Sequence, residues 1–354
     1  MSARVRFAPS PTGSLHVGNA LTAVANRRFA DERGGVLVLR IDDTDRSRTV
    51  EGGEEAILDD LAWLGVRFDE GPVRQSERGA LYDDAAARAL ASGGAERDEE
   101  GAVRIAADGT TLLRADGTAT YQLASVADDL DLGISHVIRG SDHRPNLELH
   151  RRIARAIGGE LPEVIHHGLV LGQDGRKLSK RHGHSSIAEL RDEGLPPQAV
   201  RAYLEELGLP EHDVHLDLAR LGRLAVDAIA AMDDEELAAS AEAPIEVVPA
   251  LRGARTLVEA HEYARLVLEP QPVSLAADAA ATLERFVELR EAAPDRVSAE
   301  EARSIVRELK AVGGDLRSLR LALTGAPVGP ELAAVLSALD RDEALARART
   351  AIAR

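Results

Sequence analysis

The chain has 354 residues, no cysteine, 3% aromatic residues and a formal net charge of -17. Its length accommodates roughly two or three domains with cores of their own, and the missing thiols exclude disulfides, thiolate zinc sites and a cysteine nucleophile, which fits a reducing compartment. The acidic balance argues against indiscriminate coating of nucleic acid while leaving room for a local basic face, and so few aromatics argue against base-stacking platforms.

Val5 to Ala8 reads as a short strand closed by the tight loop Pro9-Ser10-Pro11-Thr12-Gly13. Leu15 to Glu32 follows as a helix, with Ala20, Leu21, Val24, Ala25 and Phe29 at helical spacing and Gly34-Gly35 as its stop. The run Val36 to Ile41 is too continuous for a one-sided strand and implies a sheet covered on both faces. Together these make a βαβ unit, so the loop before the helix lies at the carboxyl end of a parallel strand, where such sheets bind ligands. His16-Val17-Gly18-Asn19 stands there. A helix N-terminus offers free N–H groups and a positive dipole end to a phosphate; His16 adds a donor, and Gly18 removes a side chain where a flat base can lie. Taken alone, a His near a helix start is more often a capping or surface residue.

The second strand ends in Arg40-Ile41-Asp42-Asp43-Thr44-Asp45, whose carboxylates serve either as turn caps or as partners for a substrate amine. Helices are expected over Glu54 to Leu64 and from Gln75 to Leu90. Residues 91–120, rich in Gly, Asp and Thr, read as a small surface insertion with strand-like pieces at Val103 to Ile105 and Thr111 to Arg114. Tyr121 to Ser125 leads into a helix through Asp128-Asp129, and His136 to Arg139 is a strand followed by Gly140-Ser141-Asp142-His143. Arg139, at that strand's end, is either a buried-pair residue or an anchor for a substrate carboxylate. A helix from Asn146 to Ile157 and a strand from Val164 to Leu171 deliver the chain to Lys177-Leu178-Ser179-Lys180-Arg181.

That loop stands out in composition. Only three of the 43 basic residues are lysines, Lys177, Lys180 and Lys310, and two of the three are here. A compact ammonium on a flexible stem can follow a phosphate as its charge redistributes, whereas arginine presents a rigid fork. With Gly172, Gly175 and Gly183 around it, the segment reads as a mobile loop that clamps a nucleotide's phosphates. After Leu195-Pro196-Pro197 the strand signal stops, and residues 198–354 read as helices broken at Gly208, Pro210, Pro244, Pro249, Pro272 and Pro294. No internal repeat is evident, and neither the histidine pairs His166-His167 and His182/His184 nor any other residues show the spacing of a metal site. The N-terminus lacks a basic flank followed by an apolar run, and no stretch approaches the about 18 to 20 apolar residues that span a bilayer. The expectation is a cytoplasmic monomer without a membrane segment.

In that order, Arg6 to Asn19 (RFAPSPTGSLHVGN), Leu39 to Asp45, Val137 to Gly140 and Lys177 to Arg181 closely resemble the class I aminoacyl-tRNA synthetases of the glutamyl branch. Arg317 to Gly325 with Gly329 to Leu332 resembles the closing part of their anticodon-binding domain. The resemblance implies an α/β fold: a Rossmann-like parallel-sheet catalytic domain over residues 1–208, with residues 91–120 as a reduced acceptor-stem insertion, followed by an all-helical C-terminal region. That region comprises a stem-contact linker over 209–245 and an anticodon-binding domain over 246–354.

It further implies a glutamate–tRNA ligase with ATP as substrate, Mg2+ accompanying the ATP, no protein-bound zinc, and L-glutamate and tRNA(Glu) as partners. By matching motif positions, His16, Asn19, Lys177 and Lys180 stabilise the reacting phosphate and Gly18 makes room for adenine. Arg6, Ser10, Asp42, Tyr121, Ser125 and Arg139 line the amino-acid pocket, with Arg6 and Arg139 on the two carboxylates and Asp42 facing the ammonium. The sequence departs from the family pattern in places. Asp42 stands where Glu is usual, so that its contact needs a shifted backbone or a water; Ser125 stands where Asn is common; and residues 91–120 are much shorter than the usual insertion and lack its zinc-binding cysteines. Arg151, Arg152, Arg155, Arg317 and Arg320 are candidates for phosphate contacts or ordinary surface. Two other readings share some of these residues: a stand-alone glutamyl transferase acting on queuosine of tRNA(Asp), and a non-catalytic paralogue that binds tRNA. The long helical region after Pro197 speaks against the first, and the lysine pair against the second.

Overall fold

A computed structural model describes residues 2–45, 47–172, 174–176, 178, 186–273, 275 and 279–353. Its chain divides into two compact units, Met1–Asp192 with Val200–Leu218, and Glu193–Ala199 with Ala219–Arg354.

The first unit opens with strand β1 (Arg4–Phe7), helix α1 (Val17–Glu32) and strand β2 (Val36–Ile41). β1 and β2 are parallel, with Arg4 opposite Val36 and Phe7 opposite Leu39. Leu37 to Ile41 are all buried, as an unbroken apolar run implies for a sheet covered on both faces. After α2 (Gly53–Trp63), strand β3 (Glu70–Arg74) extends the sheet on the far side of β2, again in parallel. The sequence reading passed over β3, because Glu70-Gly71-Pro72 carries no strand signal and Pro is tolerated only at such an edge.

Gly71 is required by geometry. Its φ is +102°, and a Cβ built there would lie 2.3 Å from the Leu39 carbonyl oxygen on β2. Gly71→Ala is therefore expected to destabilise the protein by about 2 to 4 kcal/mol, from backbone strain plus the clash. Urea denaturation monitored by far-UV circular dichroism will measure this; a midpoint equal to wild type would contradict the argument.

Helix α3 (Gly79–Ala91) leads into an antiparallel meander, β4 (Ala95–Arg97), β5 (Val103–Ile105) and β6 (Thr111–Leu113). Residues 91–120 are thus more than a surface insertion: Val103, Ile105 and Leu112 join Tyr82, Leu123 and Ile153 in one core. β5 and β6 fall on the strand-like pieces expected there, while β4, Ala95-Glu96-Arg97, is too short for alternation to show. Helix α4 (Tyr121–Asp131) and strand β7 (His136–Gly140) follow. β7 lies beside β1, where the Ser135 N–H donates to the Arg4 carbonyl at 2.8 Å. Past α5 (Leu147–Ala156), β8 (Glu163–His167) pairs with β7 in parallel register, Arg139 opposite His166.

The single strand expected over Val164 to Leu171 is two, because the chain turns at Gly168, whose N–H donates to the Pro210 carbonyl at 2.6 Å. β9 (Val170–Leu171) then pairs in parallel with β10 (Val214–His215), a strand absent from the sequence reading.

Among its described residues the second unit is helical, with Leu251, Phe286, Leu323 and Leu336 in its core. Its helices start on side-chain caps such as Asp233, Thr256 and Asp340, and Ser298 forms a capping box with Glu301. Pro249 begins a helix rather than breaking one: it sits in the first turn of Val248–Leu251, where a missing N–H costs nothing. Arg320 donates to the Pro330 carbonyl, and Arg152 is paired with Asp108 at 2.8 Å, so both have structural partners. No helix among the described residues is long and apolar enough to cross a membrane.

Candidate functional site

The carboxyl ends of β1 and β7 open into one cleft of about 490 Å³. It is lined by Arg6 to Ser10 from β1 and the following loop, by Ile138 to Gly140 from β7, and by His16, Gly18 and Asn19 from the start of α1. Chain connections run from β1 through α1 to β2 on one side and from β7 to β8 on the other, and α/β sheets bind ligands where neighbouring strands diverge in this way.

The helix tip is built for an anion. His16 is the N-cap of α1 in an extended conformation, its side chain makes no capping hydrogen bond to the first turn, and no acidic residue lies in that turn. The preceding loop is fixed by Asp60, whose Oδ2 accepts from the Ser14 hydroxyl at 2.7 Å and from the Leu15 N–H at 2.8 Å. Arg191 holds the other oxygen of Asp60 at 2.9 Å. Sequence reading missed Asp60; its signal was an acid on the apolar face of a helix, three residues after Ile57. A Cβ at Gly18 would meet nothing within 4 Å, so the fold does not demand this glycine, and its effect is to keep the cleft open.

Lys177 and Lys180 lie outside the described residues. Around them, Leu178 lines the cleft and Ser186 forms a β-bridge with His16, while the Ile187 N–H donates to the Leu15 carbonyl at 2.8 Å. The described flanks of the lysine segment thus border the cleft and the helix tip.

Of the residues assigned to the amino-acid pocket, Arg6, Ser10, Tyr121 and Arg139 line the cleft. Asp42 and Ser125 are buried and absent from its lining, and the Ser125 hydroxyl has no partner among the described residues. Asp42 belongs to a buried charge network that sequence alone did not reveal. Arg40, fully buried, donates from Nε to Asp42 at 2.7 Å and from Nη1 to Asp129 at 2.7 Å, and stands 3.7 Å from Asp128. Arg6 shares Asp129 at 3.0 Å, and Arg78, Gln75 and Tyr82 hold Asp128. Burial opposes the Arg40 charge, but Asp42 and Asp129 outweigh it and keep the guanidinium protonated. Burial raises the Asp42 carboxyl despite Arg40; at Asp129 burial is overcome by Arg6 and Arg40, and its carboxyl is held low.

Arg139 is different. It is 6% exposed, yet it forms no ion pair among the described residues, and its Nη2 has no hydrogen-bond partner there. It donates over long distances to imidazoles, from Nε to His166 Nε2 at 3.4 Å and from Nη1 to His150 Nδ1 at 3.5 Å, and Tyr121 is a further side-chain partner. Burial lowers its pKa from the usual arginine value, and Tyr121 works in the other direction. Of the two options the sequence left for Arg139, an internal carboxylate partner is not found among the described residues.

The sequence matches the family described as tRNA synthetases class I (E and Q), catalytic domain, over residues 2–107 and 100–229, and an anticodon binding domain over residues 223–352. It is 48% identical over 231 residues to glutamate–tRNA ligase 1 of Rubrobacter xylanophilus, covering 58% of this chain and 54% of that protein. It is 34% identical to glutamate–tRNA ligase 1 of Acidiphilium cryptum over 96% of this chain and 97% of that one, and 33% identical to glutamate–tRNA ligase 1 of Methylorubrum extorquens over 97% and 98%. The last two alignments extend over 457 and 462 positions against 354 residues here, so those proteins carry segments that this chain lacks. In fold, the chain is similar to the crystal structure of a glutamate tRNA ligase from Elizabethkingia meningosepticum in complex with its amino acid, with a TM-score of 0.79 at 22% identity, covering 100% of this chain and 99% of that one.

Proposed function

The chain belongs to the class I tRNA synthetases of the glutamate and glutamine branch, and on that premise we infer that it is a glutamate–tRNA ligase. The α-carboxylate of L-glutamate attacks the α-phosphate of ATP, the bond to pyrophosphate breaks, and pyrophosphate leaves with the magnesium that accompanied the nucleotide. A terminal ribose hydroxyl of tRNA(Glu) then takes the glutamyl group from the mixed anhydride, releasing AMP. Nothing in this sequence of steps needs a protein nucleophile; the protein holds the reactants in line and stabilises charge on phosphate oxygens.

The observation that carries the amino-acid half of the reading is Arg139, a buried guanidinium on the cleft with an unpartnered Nη2. A buried cation that forms no ion pair among the described residues suits an anionic ligand. Arg139 takes one carboxylate of glutamate; Arg6, tied to Asp129 through Nε only, offers its remaining donors to the other. Asp42, with both oxygens on Arg40, reaches the ammonium through a water, with Ser10, Tyr121 and Ser125 completing the pocket. His16, Asn19 and the tip of α1 stabilise one side of the phosphate, Gly18 admits adenine, and Lys177 and Lys180 clamp the other side when their loop closes.

We assign residues 1–208 to catalysis with 91–120 at the acceptor end, 209–245 to the stem and 246–354 to the anticodon, in a cytoplasmic monomer. The anticodon-domain match over residues 223–352 speaks against the queuosine-modifying transferase.

Aminoacylation assays with purified tRNA(Glu), tRNA(Gln) and tRNA(Asp) test the reading. ATP-dependent charging of tRNA(Glu) with glutamate is expected, and Lys180→Ala should slow it at least about tenfold, ~1.4 kcal/mol of transition-state stabilisation. Charging of tRNA(Asp) alone, or of no tRNA, would sink the assignment.

A further inference from the structure

Arg139 raises a question of design. A buried arginine is ordinarily oriented by a carboxylate, and its neighbours Arg6 and Arg40 share Asp129 in that way. A carboxylate beside Arg139 would orient it equally well, but would neutralise it and compete with any acidic ligand. The fold places imidazoles there instead. His166 is opposite Arg139 in the β7–β8 register, and its Nε2 accepts from Arg139 Nε at 3.4 Å. His150, 2% exposed on α5, lies between Arg139 and Gln122.

The hydrogen-bond polarity of His150 is fixed from both ends. Arg139 Nη1 can only donate, so the lone pair of His150 Nδ1 must face it; Nε2 then carries the proton and donates to Gln122 Oε1 at 2.7 Å. Tyr121 packs its ring 6.1 Å from that of His150, bracing the imidazole from the cleft side. Burial, followed by the Arg139 charge, pushes the His150 pKa down to about 3 and that of His166 to about 4, so both rings remain neutral at physiological pH.

We propose that His150 and His166 are positioning residues for Arg139: two neutral acceptors that aim its guanidinium at the cleft while leaving its charge for a carboxylate of the substrate. The inference rests on the glutamate-binding reading above and adds the reason this arginine stays uncompensated. The desolvation cost of the cation is met during folding, so the ligand encounters a prepared charge in a low-dielectric site.

The test is a pair of nearly isosteric variants that differ in charge. His150→Asn puts a neutral oxygen close to the position of Nδ1, and His150→Asp puts a charged one there; both lose the ring and the bond to Gln122. In aminoacylation of tRNA(Glu), His150→Asp should raise KM for glutamate by about 30-fold or more and leave KM for ATP within about twofold, whereas His150→Asn should keep KM for glutamate within about threefold. His166→Asn and His166→Asp form a second pair, needed should either His150 variant fail to fold by circular dichroism. Equal glutamate KM values for Asn and Asp in a folded pair would overturn the inference and leave the ligase assignment standing. A wild-type protein inert toward glutamate would remove both.

Discussion

Replacing Arg139 with Met is expected to lower kcat/KM for glutamate by about 10²- to 10³-fold, ~2.7 to 4 kcal/mol, and at the same time to raise the melting temperature. The two effects have one cause. In the ligand-free protein the guanidinium is buried, forms no ion pair among the described residues and has Nη2 unbonded, so the fold bears a desolvation cost that the imidazoles, Tyr121 and the charge of Asp129 offset only in part. A methionine of similar reach removes that cost and should stabilise the free protein by about 1 kcal/mol or more. It also removes the charge that a substrate carboxylate would meet, so the loss should fall on KM for glutamate with KM for ATP little changed. Steady-state kinetics in both substrates, combined with differential scanning calorimetry of the ligand-free protein, decide the matter. A fall in stability would mean that Arg139 has a structural counter-charge after all, and a glutamate effect below about tenfold would mean that another group holds the carboxylate.

What the sequence disclosed, and what it withheld, follows from how local each feature is. The βαβ start was legible because apolar periodicity and the Gly34-Gly35 stop are properties of neighbouring residues. His16, Gly18 and Asn19 were placed at a strand's carboxyl end by the same local logic, and they do line the cleft. Arg139 was recognised as a strand-end cation, but whether it met a carboxylate could not be read, because its neighbours come from β8 and α5 rather than from its own strand. Asp42 shows the converse. As one of three carboxylates after a strand it could equally serve as a cap or as an amine partner, and the structure gives it a buried arginine two residues earlier in the chain. Asp128 and Asp129 were read only as part of a helix, since the arginines that need them, at positions 6, 40 and 78, are distant in sequence. β3 was obscured for a different reason, since Glu70-Gly71-Pro72 carries no alternation to register, whereas β5 and β6 of the meander fall on the strand-like pieces expected at Val103 to Ile105 and Thr111 to Arg114.

That buried network makes Arg40→Met the counterpart of Arg139→Met, with the opposite sign in stability. Arg40 and Arg139 are both buried arginines near the carboxyl ends of sheet strands. Arg40, however, is the shared counter-ion of three acids. Without it, Asp129 retains Arg6 at 3.0 Å and Asp128 retains Arg78, Gln75 and Tyr82, but Asp42 loses the one side-chain hydrogen-bond partner it has among the described residues. An uncompensated buried carboxylate typically costs about 3 to 5 kcal/mol, a large fraction of the stability of a domain. The pH dependence gives the mechanism a signature. Burial already raises the Asp42 pKa above its ordinary value with Arg40 present, and removing Arg40 raises it further. The folded variant then binds more protons than the unfolded chain between the two pKa values, so its stability falls as pH rises through the folded value and recovers as pH falls toward the unfolded one. Chemical denaturation of both proteins at about pH 5 and about pH 8 should therefore show a deficit for Arg40→Met that is larger at the higher pH. Arg40→Met combined with Asp42→Asn, which replaces the orphaned charge by a neutral amide, should recover part of the loss at the higher pH. A deficit independent of pH and untouched by the second substitution would mean that Arg40 stabilises the sheet by packing rather than by charge.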